Sequence, residues 1–97
     1  TPLLWAALSG HVTIVKLLLQ EGANLESKDK ICGQTPLAWA AEKGHKIIVQ
    51  LLLEDGTDIK SMDKEIGQTP LSLASENRYG AIIKLLLEKG ADPKSKD

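Results

Sequence analysis

Thr35-Pro36-Leu37-Ala38-Trp39-Ala40-Ala41-Glu42-Lys43-Gly44-His45, running on from Lys46 through Leu51-Leu52-Leu53 to Gly56, is the stretch that decides the fold. It is written three times. Thr-Pro-Leu stands at Thr1, Thr35 and Thr69, and Leu-Leu-Leu at 17–19, 51–53 and 85–87, each 34 residues apart. A glycine follows each leucine triplet three residues on, at Gly22, Gly56 and Gly90. Segments 1–34 and 35–68 share 19 of 34 positions, and segment 69–97 shares 15 of 29 with the second. A fixed period of this size marks a stack of small supersecondary units. The period divides the chain into repeats 1–34, 35–68 and 69–97, the last incomplete, which together make one domain.

Within the middle repeat the residues spell two short helices and an arm. Thr35 is a helix N-cap, whose hydroxyl accepts from an orphan backbone N–H. Pro36 follows at the first helical position, where a missing N–H costs nothing. Leu37, Ala40 and Ala41 form a buried stripe, and Gly44 ends the helix in the left-handed conformation. A second helix starts near Lys46, with Ile48, Val49, Leu51, Leu52 and Leu53 as its apolar set and Lys46, Gln50 and Glu54 as its wet stripe. The stretch from Thr57 to Gln68 is polar and turn-rich, as a hairpin-like arm requires. Isolated helices shorter than about 12–15 residues are marginal in water, so each pair must bury its apolar face against a neighbour. The expected fold is an all-α solenoid of stacked helix-turn-helix pairs.

Composition narrows the function. Twelve basic and thirteen acidic side chains leave a net charge of −1, and no repeat carries a basic surplus of more than one, which argues against nucleic acid as a partner. Cys32 is the single cysteine, so no internal disulfide forms, and a reducing intracellular compartment, the cytoplasm first, is expected. The apolar run from Pro2 to Leu8 is far short of the roughly 18 residues a membrane span needs, and membrane insertion is not expected.

The repeated Thr-Pro-Leu-x-(Trp/Leu)-Ala-(Ala/Ser), the Gly-His of repeats one and two, and Leu-Leu-Leu-x-x-Gly-(Ala/Thr)-(Asn/Asp) together resemble the ankyrin repeat family over all 97 residues. The wording around Trp5 and Trp39 is similar to long fungal ankyrin arrays. The resemblance implies stacked helix pairs with projecting arms that bind another protein or peptide through arm tips and first helices. Several positions depart from the family pattern. The period is 34 rather than the usual 33, with the extra residue in the arm. The His that commonly follows Thr-Pro-Leu is Leu4, Ala38 and Ser72, which removes the family's Thr–His hydrogen bonds. Arg78-Tyr79 replaces Gly-His in repeat three, at a cost of about 1 kcal/mol unless Asn77 takes over the turn. Glu26, Lys60 and Lys94 stand where the family carries an Asn open to hydroxylation, so that modification is not expected.

Chemistry-bearing residues are few. His11, His45 and Cys32 suggest a metal site, but the two histidines hold equivalent places in adjacent repeats, about 8–10 Å apart. One Zn²⁺ needs each ligand within about 2.1 Å, so both read as structural. Nothing in the sequence activates Cys32 as a nucleophile, and no catalytic arrangement or cofactor loop is found. No enzymatic activity is expected. Trp5 and Trp39 hold matched places on the first helices, with Leu73 in repeat three, and read as shared core rather than a ligand-stacking pair.

The outward stripe of each first helix carries Leu4, Leu8 and Ser9 in repeat one, Ala38, Glu42 and Lys43 in repeat two, and Ser72, Glu76 and Asn77 in repeat three. Leu4 and Leu8 either pack on something preceding Thr1 or form an apolar hot spot. The expected partner-binding surface adds the arm residues Lys30, Ile31, Cys32, Gln34, Lys64, Glu65, Ile66 and Gln68 to Leu4, Leu8, Glu42, Lys43, Glu76 and Asn77. Both terminal repeats carry the same apolar stripes as the middle one, whereas caps expose polar outer faces. The chain therefore reads as an excerpt of a longer array with flanking repeats, used either as a protein-interaction module or as a non-catalytic regulatory segment of a larger enzyme such as a nucleotide-hydrolysing signalling protein.

Overall fold

The computed structural model describes residues 2–30, 33–59 and 68–90. Among these residues there are six helices and no strand. They come in pairs: α1 (Pro2–Ser9) with α2 (Val12–Gln20), α3 (Pro36–Lys43) with α4 (Lys46–Glu54), and α5 (Pro70–Glu76) with α6 (Gly80–Glu88). The first helices α1, α3 and α5 form one layer and the second helices α2, α4 and α6 the other, and the first layer is the more closely packed. Its side chains explain why. Ala6, Ala7, Ala40, Ala41 and Ala74 are fully buried, and a methyl group lets two backbones approach where a leucine would hold them apart.

The caps follow the sequence in repeat two and improve on it in repeat three. Thr35 Oγ1 accepts from the Ala38 N–H at 3.3 Å. Ser72 stands where the family's His would, and it builds a capping box of its own. The Thr69 N–H donates to Ser72 Oγ at 2.9 Å, while the Ser72 N–H donates to Thr69 Oγ1 at 3.2 Å. At the other end of the first helices, Gly10 and Gly44 have φ of +81° and +78°. Arg78 holds the matching place with φ of +58°, so the arginine itself takes the left-handed conformation. Asn77 does not take over the backbone turn, as its φ is −95°. Its side chain contributes instead, Nδ2 donating to the Leu73 carbonyl at 2.9 Å.

Burial along the second helices depends on which neighbour each position faces. Ile48 and Ile82 are almost wholly buried, while the matched Ile14 is 39% exposed. Leu52 and Leu86 are likewise fully buried where Leu18 is only half-buried. These positions look toward the preceding repeat, and only repeats two and three have one among the described residues. Val15 and Val49 are fully buried, and the matched Ile83 is half-buried, so this second register looks the other way. The wet stripe Lys46, Gln50 and Glu54 is exposed throughout, as the sequence pattern requires.

The outward stripe of the first helices is corrected by the structure. Leu4 is 8% exposed, Ala38 3% and Ser72 6%, so none of the three is a surface position. The flank of the first helices that carries them is closed off by the tight spacing of that layer, and Ser72 Oγ is turned back onto its own helix cap.

Candidate functional site: the first-helix groove

The arm of repeat one closes at its base. The Asp29 N–H donates to the Gln34 carbonyl at 3.1 Å, and the Gln34 N–H donates to Asp29 Oδ1 at 2.9 Å. From that base the Gln34 side chain reaches α3, where Nε2 donates to Glu42 Oε1 at 3.1 Å. The same side-chain pairing runs from repeat two to α5 of repeat three, with Gln68 Nε2 donating to Glu76 Oε2 at 2.7 Å. Both glutamines are buried, at 4% and 7% exposure. The Gln34 and Gln68 side chains are therefore turned onto α3 and α5 and offer little surface. A polar residue leaving a turn reads as exposed in sequence, and only the buried amide–carboxylate pairing shows otherwise.

Between this arm and the first helices lies an open groove. Leu4, Trp5, Leu8 and Trp39 line its helical side, and Lys28, Asp29 and Lys30 line the arm side. Trp5 is the largest departure from expectation, 54% exposed rather than core. Its indole lies 4.8 Å, centroid to centroid and tilted by 34°, from the His11 ring. Trp39 is half-buried, and Lys43 Nζ sits 5.8 Å from the centre of its ring. At the same place in repeat three Leu73 is 2% exposed, so the reading of these positions as core holds for the leucine and fails for Trp5.

Of the other expected contact residues, Leu8 is half-buried, Glu42 is half-buried, and Lys30, Lys43, Glu76 and Asn77 are exposed. Ile31, Cys32, Lys64, Glu65 and Ile66 lie outside the described residues. Trp5 and Trp39 are the groove residues that the stripe reading passed over. The signal for Trp5 was its spacing: it lies three residues before Leu8 and so shares a helix face with it.

The two histidines go to different places. His45 lies over Gly10, with Nε2 3.1 Å from the Leu8 carbonyl oxygen, while His11 stacks on Trp5. Among the described residues no three His, Cys, Asp or Glu side chains gather as a metal ion would need. No helix among them is long and apolar enough to cross a membrane.

Residues 3–97 match the family description "Ankyrin repeats (3 copies)". The chain belongs to the ankyrin-repeat family. No curated protein matches it. Ankyrin repeats are in general protein–protein interaction modules and typically non-catalytic. The helix pairs and the arm described above are those of an ankyrin array.

Proposed function

We propose that this ankyrin array is a rigid binding module for another protein or peptide, gripping it in the concave groove between the first helices and the arms. The observation that carries the reading is Trp5. An indole more than half exposed, beside Leu8 on a helix whose other face is fully packed, is the kind of anchor that dominates interface energetics. The second-helix stripe, by contrast, presents Lys46, Gln50 and Glu54, whose long charged side chains are depleted at interface cores. The matching test selects binders from a displayed peptide library on the intact chain. Selected peptides should lose most of their affinity on Trp5→Ala, and keep it on Lys46→Ala with Glu54→Ala. Binders that ignore Trp5 and depend on the second helices would move the site to the opposite face.

The three repeats 1–34, 35–68 and 69–97 act on this reading as one domain. Repeats one and two cover the matched pairs Ile48 with Leu52 and Ile82 with Leu86, which ties the repeats into one rigid body. An intracellular, cytoplasmic setting fits a chain with a single cysteine.

A further inference from the structure

The groove has a chemical preference as well as a place, and the following inference rests on the groove being the binding face. We propose that it takes an acidic peptide segment, with a large apolar side chain of that segment seated in the hollow lined by Trp5, Leu8 and Trp39. Two observations carry this. The first is where apolar surface is offered. Trp5 is exposed, Leu8 and Trp39 are half-buried, and the matched Leu73 of repeat three is closed off. The anchor therefore belongs over repeats one and two.

The second is how the charges around that hollow are disposed. Its carboxylates are turned to internal work: Asp29 Oδ1 accepts from the Gln34 backbone and Glu42 Oε1 from the Gln34 side chain. The cations stand at the rim. Lys30 is exposed on the arm wall, and Lys43 is exposed with its ammonium over the Trp39 ring. A partner entering the groove thus meets indole and leucine at the floor and ammonium groups at the edges, with the carboxylates already bound to donors. Glutamate or aspartate flanking an apolar residue complements that arrangement in charge. A phosphate backbone complements it poorly, because its closely spaced charges call for a basic surplus that the chain lacks.

The two tryptophans are the only ones in the chain, so their fluorescence reports directly on this hollow. The experiment selects a random displayed peptide library against the intact chain, then titrates tryptophan-free synthetic copies of the winners while recording emission. The expected winners carry Asp or Glu on either side of a large apolar residue and shift the emission to the blue. Their affinity should fall about tenfold or more in the double variant Lys30→Glu with Lys43→Glu, and fall with added salt. Winners rich in Lys or Arg that still shift the emission would overturn the acidic preference and leave the groove in place. Winners, or a single-stranded oligonucleotide, that bind without changing the emission and without dependence on Trp5 would overturn both readings. So would a selection that yields no binder at all.

Discussion

The junction between repeats one and two and the junction between repeats two and three solve one packing problem with different side chains. In the first, the His45 ring covers Gly10; in the second, the Tyr79 ring covers Gly44. A Cβ on Gly10 would lie 2.7 Å from His45 Cε1, and one on Gly44 would lie 2.8 Å from Tyr79 Cζ. The fit is equally close in both, and what is common to them is the bare glycine rather than the ring. Polar ties also cross the first junction. His45 Nε2 is 3.1 Å from the Leu8 carbonyl and donates to it in the tautomer that carries its proton there. Glu26 Oε2 accepts from Thr57 Oγ1 at 3.1 Å and from the Asp58 N–H at 2.7 Å, joining the start of one arm to that of the next. Register along the stack is thus held by shape and by hydrogen bonds at both junctions, with Gln34 bonded to Glu42 across the first and Gln68 to Glu76 across the second.

The largest expected effects test the packing shared by both junctions. Leu52→Ala should cost about 2–5 kcal/mol, since the side chain is fully buried and little can collapse into the space it leaves. Leu86→Ala should cost nearly as much, although it stands in the last repeat, because its position faces the preceding repeat and is just as buried. Leu18→Ala should cost clearly less, because Leu18 is only half-buried. Urea melts of the three variants check the order. Equal losses at Leu18 and Leu86 would show that burial against the preceding repeat does not govern stability.

Next in size are substitutions beneath the rings. Gly44→Ala forces a side chain into a left-handed position, at about 1–2 kcal/mol, and drives it into the Tyr79 ring, at about 1–3 kcal/mol more. Gly22→Ala is the control, because Gly22 has φ of +78° and nothing within 4 Å of its would-be Cβ. It should show the backbone part alone. If the two variants melted together, the ring-on-glycine contact would contribute nothing to the junction. Gly10→Ala should resemble Gly44→Ala and, in addition, lengthen the His45 contact with Leu8.

Much of this was legible in the sequence, because the repeat multiplies every signal by three. The Thr-Pro-Leu starts, the Gly10 and Gly44 stops and the leucine triplets each name a helix boundary, and six helices follow at those places. What stayed hidden depends on neighbours that a helix period does not report. Leu4, Ala38 and Ser72 lie on a stripe that is outward on an isolated helix, and the close spacing of the first layer buries it. Gln34 and Gln68 look like surface residues of an arm until their amides are seen bound to Glu42 and Glu76. Trp5 errs in the opposite direction. A large aromatic residue in a short helix reads as core, yet the alanines already fill that core, and the indole is left at the groove.

The smallest effect is the one that separates the two ends of the array most cleanly. Gly10, Gly44 and Arg78 occupy one place in three repeats, and only Arg78 pays for its left-handed φ with a side chain attached. The remainder of the turn is preserved, since the Tyr79 N–H still donates to the Ala74 carbonyl at 3.1 Å and Asn77 supports Leu73. Arg78→Gly removes a strain of about 1–2 kcal/mol. It also gives the unfolded chain more freedom, which takes back about 0.4–1 kcal/mol. The net expectation is a gain of up to about 1.6 kcal/mol, read as a higher denaturant midpoint at unchanged slope. Amide exchange should report the same change locally. The stretch Ile82–Leu87 should exchange faster than Ile48–Leu53 in the native chain, and the difference should narrow in Arg78→Gly. Arg78→Ala separates the two contributions, since it discards the guanidinium and keeps the strained backbone. Should Arg78→Ala match the glycine variant, the strain would be unimportant and the arginine side chain itself would be what weakens repeat three.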